Sequence, residues 1–419
     1  MVENSEVVQA LASNGYSEEV TLEGHIIDSW ALPRAMDAIM DLGGSFDLEE
    51  IRVGRRKDET SFARLKISAG SEKQLHAIIA ALQANGAVLV SDHDVATAPA
   101  PTDGGLPDHF YSTTNLPTQV RLGGRWVDVE GTEMDLVIVT DPAGARARMI
   151  PMADVRRGDP VAVGHDGIRV LAMQRSRERE VFAFMNSGVS SEKPKRHVIN
   201  EIAREMRETR AREGKILVVA GPAIIHTGAA PHLARMVRAG YVQVLFGGNA
   251  IATHDVESEL FGTSLGVALK DGHPVEGGHV HHMAAINAIR RVGSLRAAVE
   301  KGLLREGLMY ECVKNGVEVV LAGSVRDDGP LPDVVTDMGE AQRRMRSALK
   351  GVEMALMIAT MLHSIATGNM LPASVKTVVV DINPAAVTKL ADRGTFQALG
   401  LVTDAELFLR ELAGALGID

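Results

Sequence analysis

The sequence predicts an α/β protein: an N-terminal ferredoxin-like unit, a small β-rich middle unit and a C-terminal Rossmann-like parallel sheet. Three observations carry that prediction. Residues 20–91 alternate in the order βαββαβ, the split-βαβ pattern. Residues 116–185 are short alternating runs separated by turn residues, the texture of an antiparallel β unit. From Lys215 onward, short β-branched apolar runs alternate with helical segments, as in strands buried on both faces of a doubly wound sheet.

The elements follow in order. "VTLEGHIID" has strand character, "LPRAMDAIMDLG" a helical period, and "FDLEEIRVGRR" with "SFARLKISA" form a strand pair. "SEKQLHAIIAALQANG" opens on a capping serine and ends at a C-cap glycine, and "AVLV" closes the unit. "ATAPAPTDGGLPD" (96–108) reads as a linker or an extended crossing. "KPKRHVINEIAREMRETRAREGK" is an amphipathic helix whose arginines form a solvated face. Strands are expected at 215–221, 242–248, 317–323 and 375–381, with one long helix through "GEAQRRMRSALKGVEMALMIATMLHSIA". The boundaries expected are 1–105 for the ferredoxin-like unit, 106–190 for the β-rich unit and 191–419 for the Rossmann-like unit.

Composition narrows the function. The chain has 419 residues, enough for two or three domains, and its net charge of −10 disfavours nucleic acid as a partner. A single cysteine, Cys312, precludes an internal disulfide and every metal site built on paired thiolates, and it suits a reducing compartment. The N-terminus lacks a basic n-region and an apolar h-region. The most apolar stretch, from Val352, holds Glu353 and His363 and breaks at Gly368, so it reads as a buried helix and not a membrane span. A soluble, cytoplasmic protein with no membrane partner is expected.

Ligands of such sheets bind beyond the carboxyl ends of the strands. No GxGxxG follows any of these strands, so a standard dinucleotide fingerprint is absent. "VLFGGNAIATHD" ends a strand in Gly247-Gly248-Asn249, where backbone can approach a ligand or simply turn. Asp381 of "VVVDINP" stands where an acid can hold ribose hydroxyls or cap a helix. Asp327 and Asp328 lie in a Gly/Pro-rich loop at another strand end. "TMLH" (360–363) falls near the end of the expected long helix, with Met361 and Leu362 in core positions by periodicity.

The stretches "TLEGHIIDS", "TTNLPTQVRLGGRWV", "FMNSGVSSEKPKR", "VLFGGNAIATHDVESELFGTSLG" and "LADRGTFQALGLVTD" resemble the archaeal NAD-dependent ornithine cyclodeaminase family. That family is similar to the C-terminal portion of cyanobacterial bifunctional arginine dihydrolase/ornithine cyclodeaminases. The N-terminal unit resembles the conserved region of lysine-ketoglutarate reductase/saccharopine dehydrogenase (LOR/SDH) proteins. The resemblance implies conversion of L-ornithine to L-proline and ammonia with tightly held NAD, on a nucleotide fold of the deoxyhypusine-synthase type. It implies NAD contacts at Asn249, Ala250, Asp328, Thr360, Met361, Leu362, His363 and Asp381.

The implied reaction takes hydride from an amine-bearing carbon, closes the ring with loss of ammonia and returns the hydride. It requires a proton-transfer group and carboxylates for two ammonium groups, and it requires no metal. "EGGHVHH" (276–282) places three histidines within four residues. Two could share a face in a strand or a helix, but with no metal in the reaction they read as acid/base groups or as packed loop histidines. Asp255, Glu276 and His279 are the catalytic candidates. Asp255 has an alternative as the N-cap of "VESELFG", and His254 and Lys193 are further candidates. Rival readings are an NAD-dependent amino-acid dehydrogenase or imine reductase on a lysine- or ornithine-like substrate, and a non-catalytic amino-acid sensor. A homo-oligomer is expected from apolar helices flanking a buried sheet.

Overall fold

The computed structural model describes residues 16–27, 30–56, 59–83, 86–90, 93–141, 143, 145–171, 195–327, 329–391 and 398–418. The chain divides into two compact units at residues 179/180. Lys193 and Asp328 lie outside the described residues.

The first unit opens with β1 (Tyr16–Gly24), α1 (Ala31–Asp41), β2 (Ser45–Arg52), β3 (Ser61–Ala69), α2 (Glu72–Gln83) and β4 (Val88–Leu89). The strands lie in the order β2-β3-β1-β4, each pair antiparallel, which is the expected ferredoxin-like sheet. Leu65 and Ile67 from β3 face Ile39 of α1 and Ile78 and Leu82 of α2 in one apolar core, because alternate strand residues share a face.

A second sheet follows: β5 (Thr97–Pro99), β6 (Thr118–Leu122), β7 (Arg125–Glu130), β8 (Val137–Asp141), β9 (Arg146–Ile150), β10 (Pro160–Ala162) and β11 (Ile168–Val170). Its order is β11-β6-β7-β9-β8-β10-β5. It is antiparallel except for β7 against β9. The segment read as linker contributes the edge strand β5, paired to β10. Proline is tolerated at such an edge.

The second unit contains α3 (Lys195–Ala211), β12 (Lys215–Ala220), α4 (Ala223–His226), α5 (Ala230–Arg238), β13 (Val244–Gly248) and α6 (Asn249–Phe261). A hairpin of β14 (Thr263–Ser264) and β15 (Val267–Ala268) precedes α7 (His281–Val292), α8 (Leu295–Glu300) and α9 (Leu308–Lys314). Then come β16 (Glu318–Ala322), β17 (Val334–Val335), α10 (Met338–Ala348), β18 (Val352–Ile358), α11 (Met361–Met370), β19 (Lys376–Asp381), α12 (Pro384–Ala391), β20 (Ala398–Val402) and α13 (Ala405–Leu416). The sheet is parallel throughout, in the order β17-β16-β13-β12-β18-β19-β20.

One expectation is corrected here. The long helix expected through residues 339–366 is helix α10, strand β18 and helix α11. Methionine, alanine and leucine suit a helix by propensity. Yet Met354–Ile358 are buried between β12 and β19, which hydrogen-bond them on both sides. Gly351, at a φ of 82°, turns the chain into the strand. The consequence is functional: Thr360–His363 sit at a strand's carboxyl end and a helix start, not near a helix end.

Candidate active site

The sheet order reverses at β12. The chain builds β13, β16 and β17 on one side of it, then crosses to lay β18, β19 and β20 on the other. Such switch points are where open α/β sheets bind ligands. Backbones come very close there: a Cβ on Gly221 would lie 1.8 Å from the Ala359 carbonyl oxygen. Ala359 itself takes a φ of 52°, a conformation that costs an L-residue about 1 kcal/mol or more.

Helix capping separates this place from the rest of the edge. The helices α10 and α13 have their first amides capped by Asp337 and Asp404, and Asn383 accepts from the Ala385 N–H of α12. Helices α6 and α11 begin at Gly248 and Thr360 with no side-chain cap. Their free N–H groups and positive dipole ends form a ready anion site.

Side chains complete the edge. Asn249 Oδ1 accepts from the Leu331 N–H at 3.0 Å and from Thr253 Oγ1 at 3.2 Å, and its Nδ2 donates to Asp327 at 3.4 Å. Asp327 also accepts from the Ser324 N–H. A Cβ on Gly248 would meet the His363 ring at 3.0 Å. Burial lowers the His363 pKa and Asp327 opposes that fall, so the imidazole is neutral at pH 7. Asp381 accepts from the Asn383 N–H through one oxygen. Met361, Leu362 and Ile382 are exposed, so the core assignment of Met361 and Leu362 does not hold. They offer apolar surface beside the anion site. Thus Asn249, Ala250, Thr360, Met361, Leu362, His363 and Asp381 all gather on one sheet edge.

The catalytic candidates do not gather. Asp255 is buried within α6, and its oxygens accept from the Leu308 and Met309 N–H groups at 2.9 and 2.7 Å. It therefore caps α9 and not its own segment. Burial pushes its carboxyl up to about 6 against the pull of those two amides. A cleft of about 550 Å³ opens on that side, but Glu259 and Glu311 there are committed to the Glu306 amide and to Arg238. Glu276 and His279 are exposed on the loop after β15. Gly278 of that loop touches the hairpin so closely that a Cβ would lie 2.4 Å from the Gly266 carbonyl.

A network that sequence reading missed lies on the other face of α6. Glu257 is fully buried. It accepts from Thr263 Oγ1 at 2.9 Å, from the Gly266 and Leu265 N–H groups at 2.9 and 3.2 Å, and pairs with His254 Nδ1 at 2.8 Å. Thr263 Oγ1 also meets His281 Nδ1 at 2.9 Å, which gives one histidine of "EGGHVHH" a structural tie. The His254 ring packs edge-on against His226, centroids 4.8 Å apart, and His226 Nδ1 meets Ser264 Oγ at 2.6 Å. Burial would raise the Glu257 pKa, but its donors outweigh burial and hold it below the usual range. Burial and His254 lower that of His226, with Glu257 opposing. The His254/Glu257 spacing in "HDVE" is the signal that could have revealed the network.

Switch-point glycines, uncapped helix starts and an acid at a neighbouring strand end define a Rossmann-fold unit with a candidate nucleotide-binding edge. Residues 200–412 match the model of the arginine dihydrolase ArgZ-like C-terminal Rossmann fold. Residues 117–199 match the first region of that C-terminal part, and residues 17–116 the LOR/SDH bifunctional enzyme conserved region. The chain is 55% identical to the ornithine cyclodeaminase of Methanopyrus kandleri, over 95% of this chain and 97% of that protein. It belongs to the ornithine cyclodeaminase family. Crystal structures of its cyanobacterial relatives agree in fold. Apo ArgZ is 41% identical with a TM-score of 0.84, over 96% of this chain and 58% of that one. The ternary complex of AgrE with ornithine and NAD+ is 45% identical with a TM-score of 0.53, over the same shares.

Proposed function

We propose that this protein is an ornithine cyclodeaminase that converts L-ornithine to L-proline and ammonia, with NAD recycled within each turnover. The observation that carries the reading is the pair of uncapped helix starts at the switch point, beside Asn249 and Asp381, in a chain of this family. NAD when bound supplies a reversible hydride acceptor for the carbon that bears the reacting amine. The amides of α6 and α11 suit its pyrophosphate, Asp381 a ribose, and Asn249, Ala250, Thr360 and His363 the groups between. Met361 and Leu362 present apolar surface to a flat ring, and Asp328 directly follows Asp327 in sequence. The residues present fit the cofactor.

Glu276 and His279 are exposed and unpaired among the described residues, so they are available for substrate contact. Asp255, with both oxygens on helix amides, serves by holding α6 to α9. No helix among the described residues is long and apolar enough to cross a membrane, and the single cysteine suits the cytoplasm. The exposed Phe261, Leu265, Val280 and Met283 favour a homo-oligomer.

The test is incubation with L-ornithine and NAD+, with proline, ammonia and NADH followed together. Proline and ammonia in equal amounts without lasting NADH is the expected result. Accumulating NADH without proline would instead establish the net dehydrogenase.

A further inference from the structure

The ring closure needs a group that takes a proton from the attacking nitrogen and delivers it to the departing one, and Asp255 is engaged elsewhere. We propose that His226 is the imidazole that exchanges these protons, and that Glu257 is a positioning residue acting on it through His254. The inference rests on the ornithine cyclodeaminase reading.

Placement supports it. His226 lies five residues beyond Gly221, the residue at the carboxyl end of the switch strand β12. His254 lies five residues into α6 from Asn249, about 7–8 Å along the helix axis. The network therefore starts one to two turns from the nucleotide edge. Its members are graded in access: Glu257 is fully buried, His254 is 7% exposed and His226 is half-buried. A buried carboxylate that fixes a second group, which in turn sets the reacting one, is the logic of catalytic triads.

Nδ1 of His226 is held by Ser264, which leaves Nε2 for exchange. As the neutral base, Nε2 takes the proton from the attacking ammonium nitrogen, whose lone pair then forms the ring C–N bond at the iminium carbon as the C=N π pair moves onto the other nitrogen. The imidazolium gives that proton to this second nitrogen, and the ring nitrogen, now cationic, loses a further proton through Nε2 to solvent. Its freed lone pair forms the ring C=N bond as the other C–N bond breaks and ammonia leaves, so the step releases one proton.

The titratable groups around the His254–Glu257 pair are His226 from α4 and, through Thr263, His281 from α7. On α6 itself, Asp255 faces the Leu308 amide and Glu259 the Glu306 amide. On α9, Glu311 faces Arg238. Burial lowers the His226 pKa most, and two neighbours act on it with opposite effects: His254 lowers it further and Glu257 raises it.

The experiment compares wild type, H226N, E257Q and H254N in three readouts. These are kcat and KM against pH, NAD+ affinity by calorimetry, and histidine titration by NMR in the cofactor-free chain. H226N should lose about 10²–10⁴-fold in kcat with NAD+ affinity and melting temperature unchanged. E257Q should move the His226 titration, and the acid limb of kcat/KM, to lower pH; H254N should move both to higher pH and serves if E257Q does not fold. Retention of kcat within threefold in H226N overturns the proposal. Loss of activity in E257Q or H254N with the titration unmoved overturns the positioning role. A wild type that makes no proline refutes the functional reading and with it the proton exchange. A titration that still moves in E257Q would then leave only the electrostatic coupling.

Discussion

The two faces of helix α6 carry buried carboxylates two residues apart, Asp255 and Glu257, and treat them oppositely. Asp255 is 4% exposed and Glu257 0%, and burial pushes both carboxyls up. At Asp255 burial prevails over the two backbone amides, with the nearby Glu259 charge adding to the rise, and the pKa reaches about 6. Glu257 receives a hydroxyl, an imidazole and two amides, and its pKa falls below the usual range. At similar exposure, the larger donor set of Glu257 is what outweighs burial and keeps that carboxylate ionised. One face is a structural clamp on α9. The other is a charged relay that leads to a half-buried imidazole.

Breaking the close approach at the switch point should have the largest effect. G221A would push a methyl into the Ala359 carbonyl, 1.8 Å away. It should cut NAD+ affinity by at least about tenfold, since strand ends must part to admit it; calorimetry reads this, and wild-type affinity would show that the contact relaxes freely.

The clamp face comes next. D255A leaves the Leu308 and Met309 amides unsatisfied, which should cost about 1–3 kcal/mol of stability in urea unfolding. D255N should flatten a pH dependence that wild type shows. The folded carboxyl keeps its proton up to about pH 6, whereas the unfolded one loses it near the ordinary value of about 3.9. The folded state thus binds more protons between those values, and the Asp255 contribution to stability falls as pH rises through 6. Activity per folded molecule should survive in D255N; a collapse of kcat there would return Asp255 to the chemistry and erase the contrast between the faces.

Smallest of all, E276A and H279A should leave stability within about 0.5 kcal/mol of wild type, because both are exposed. Their effect should fall on KM for ornithine, by severalfold. A drop in kcat as large as that of H226N would move the proton exchange to the loop.

Much of this was legible beforehand, for identifiable reasons. The βαββαβ unit was readable because β1 and β3 alternate buried with more exposed residues and the Ser71 hydroxyl caps α2. The runs 215–221, 242–248, 317–323 and 375–381 were readable because β-branched residues dominate them. Strand β18 was not, since "VEMALMI" satisfies helix propensity and only the neighbours β12 and β19 decide its state. That one error displaced Thr360–His363 from a helix start to a helix end and turned exposed Met361 and Leu362 into core. Asp255 was visible as a candidate, but its partners lie more than fifty residues away at Leu308 and Met309, a distance local pattern cannot bridge. His226 gave no signal alone; its meaning comes from Ser264 and His254, which only folding brings to it.

The contact between Gly266 and Gly278 has a consequence for how this region can vary. The segment from Leu265 to Met283 displays many exposed side chains and is permissive on its surface. At its centre, two main chains meet with no room for a Cβ on either. That contact seats the hairpin over Glu257 together with the bonds from Thr263, Leu265 and Gly266 to its carboxylate. A lineage could rewrite the outer face of this loop while two glycine positions keep the network beneath it in register.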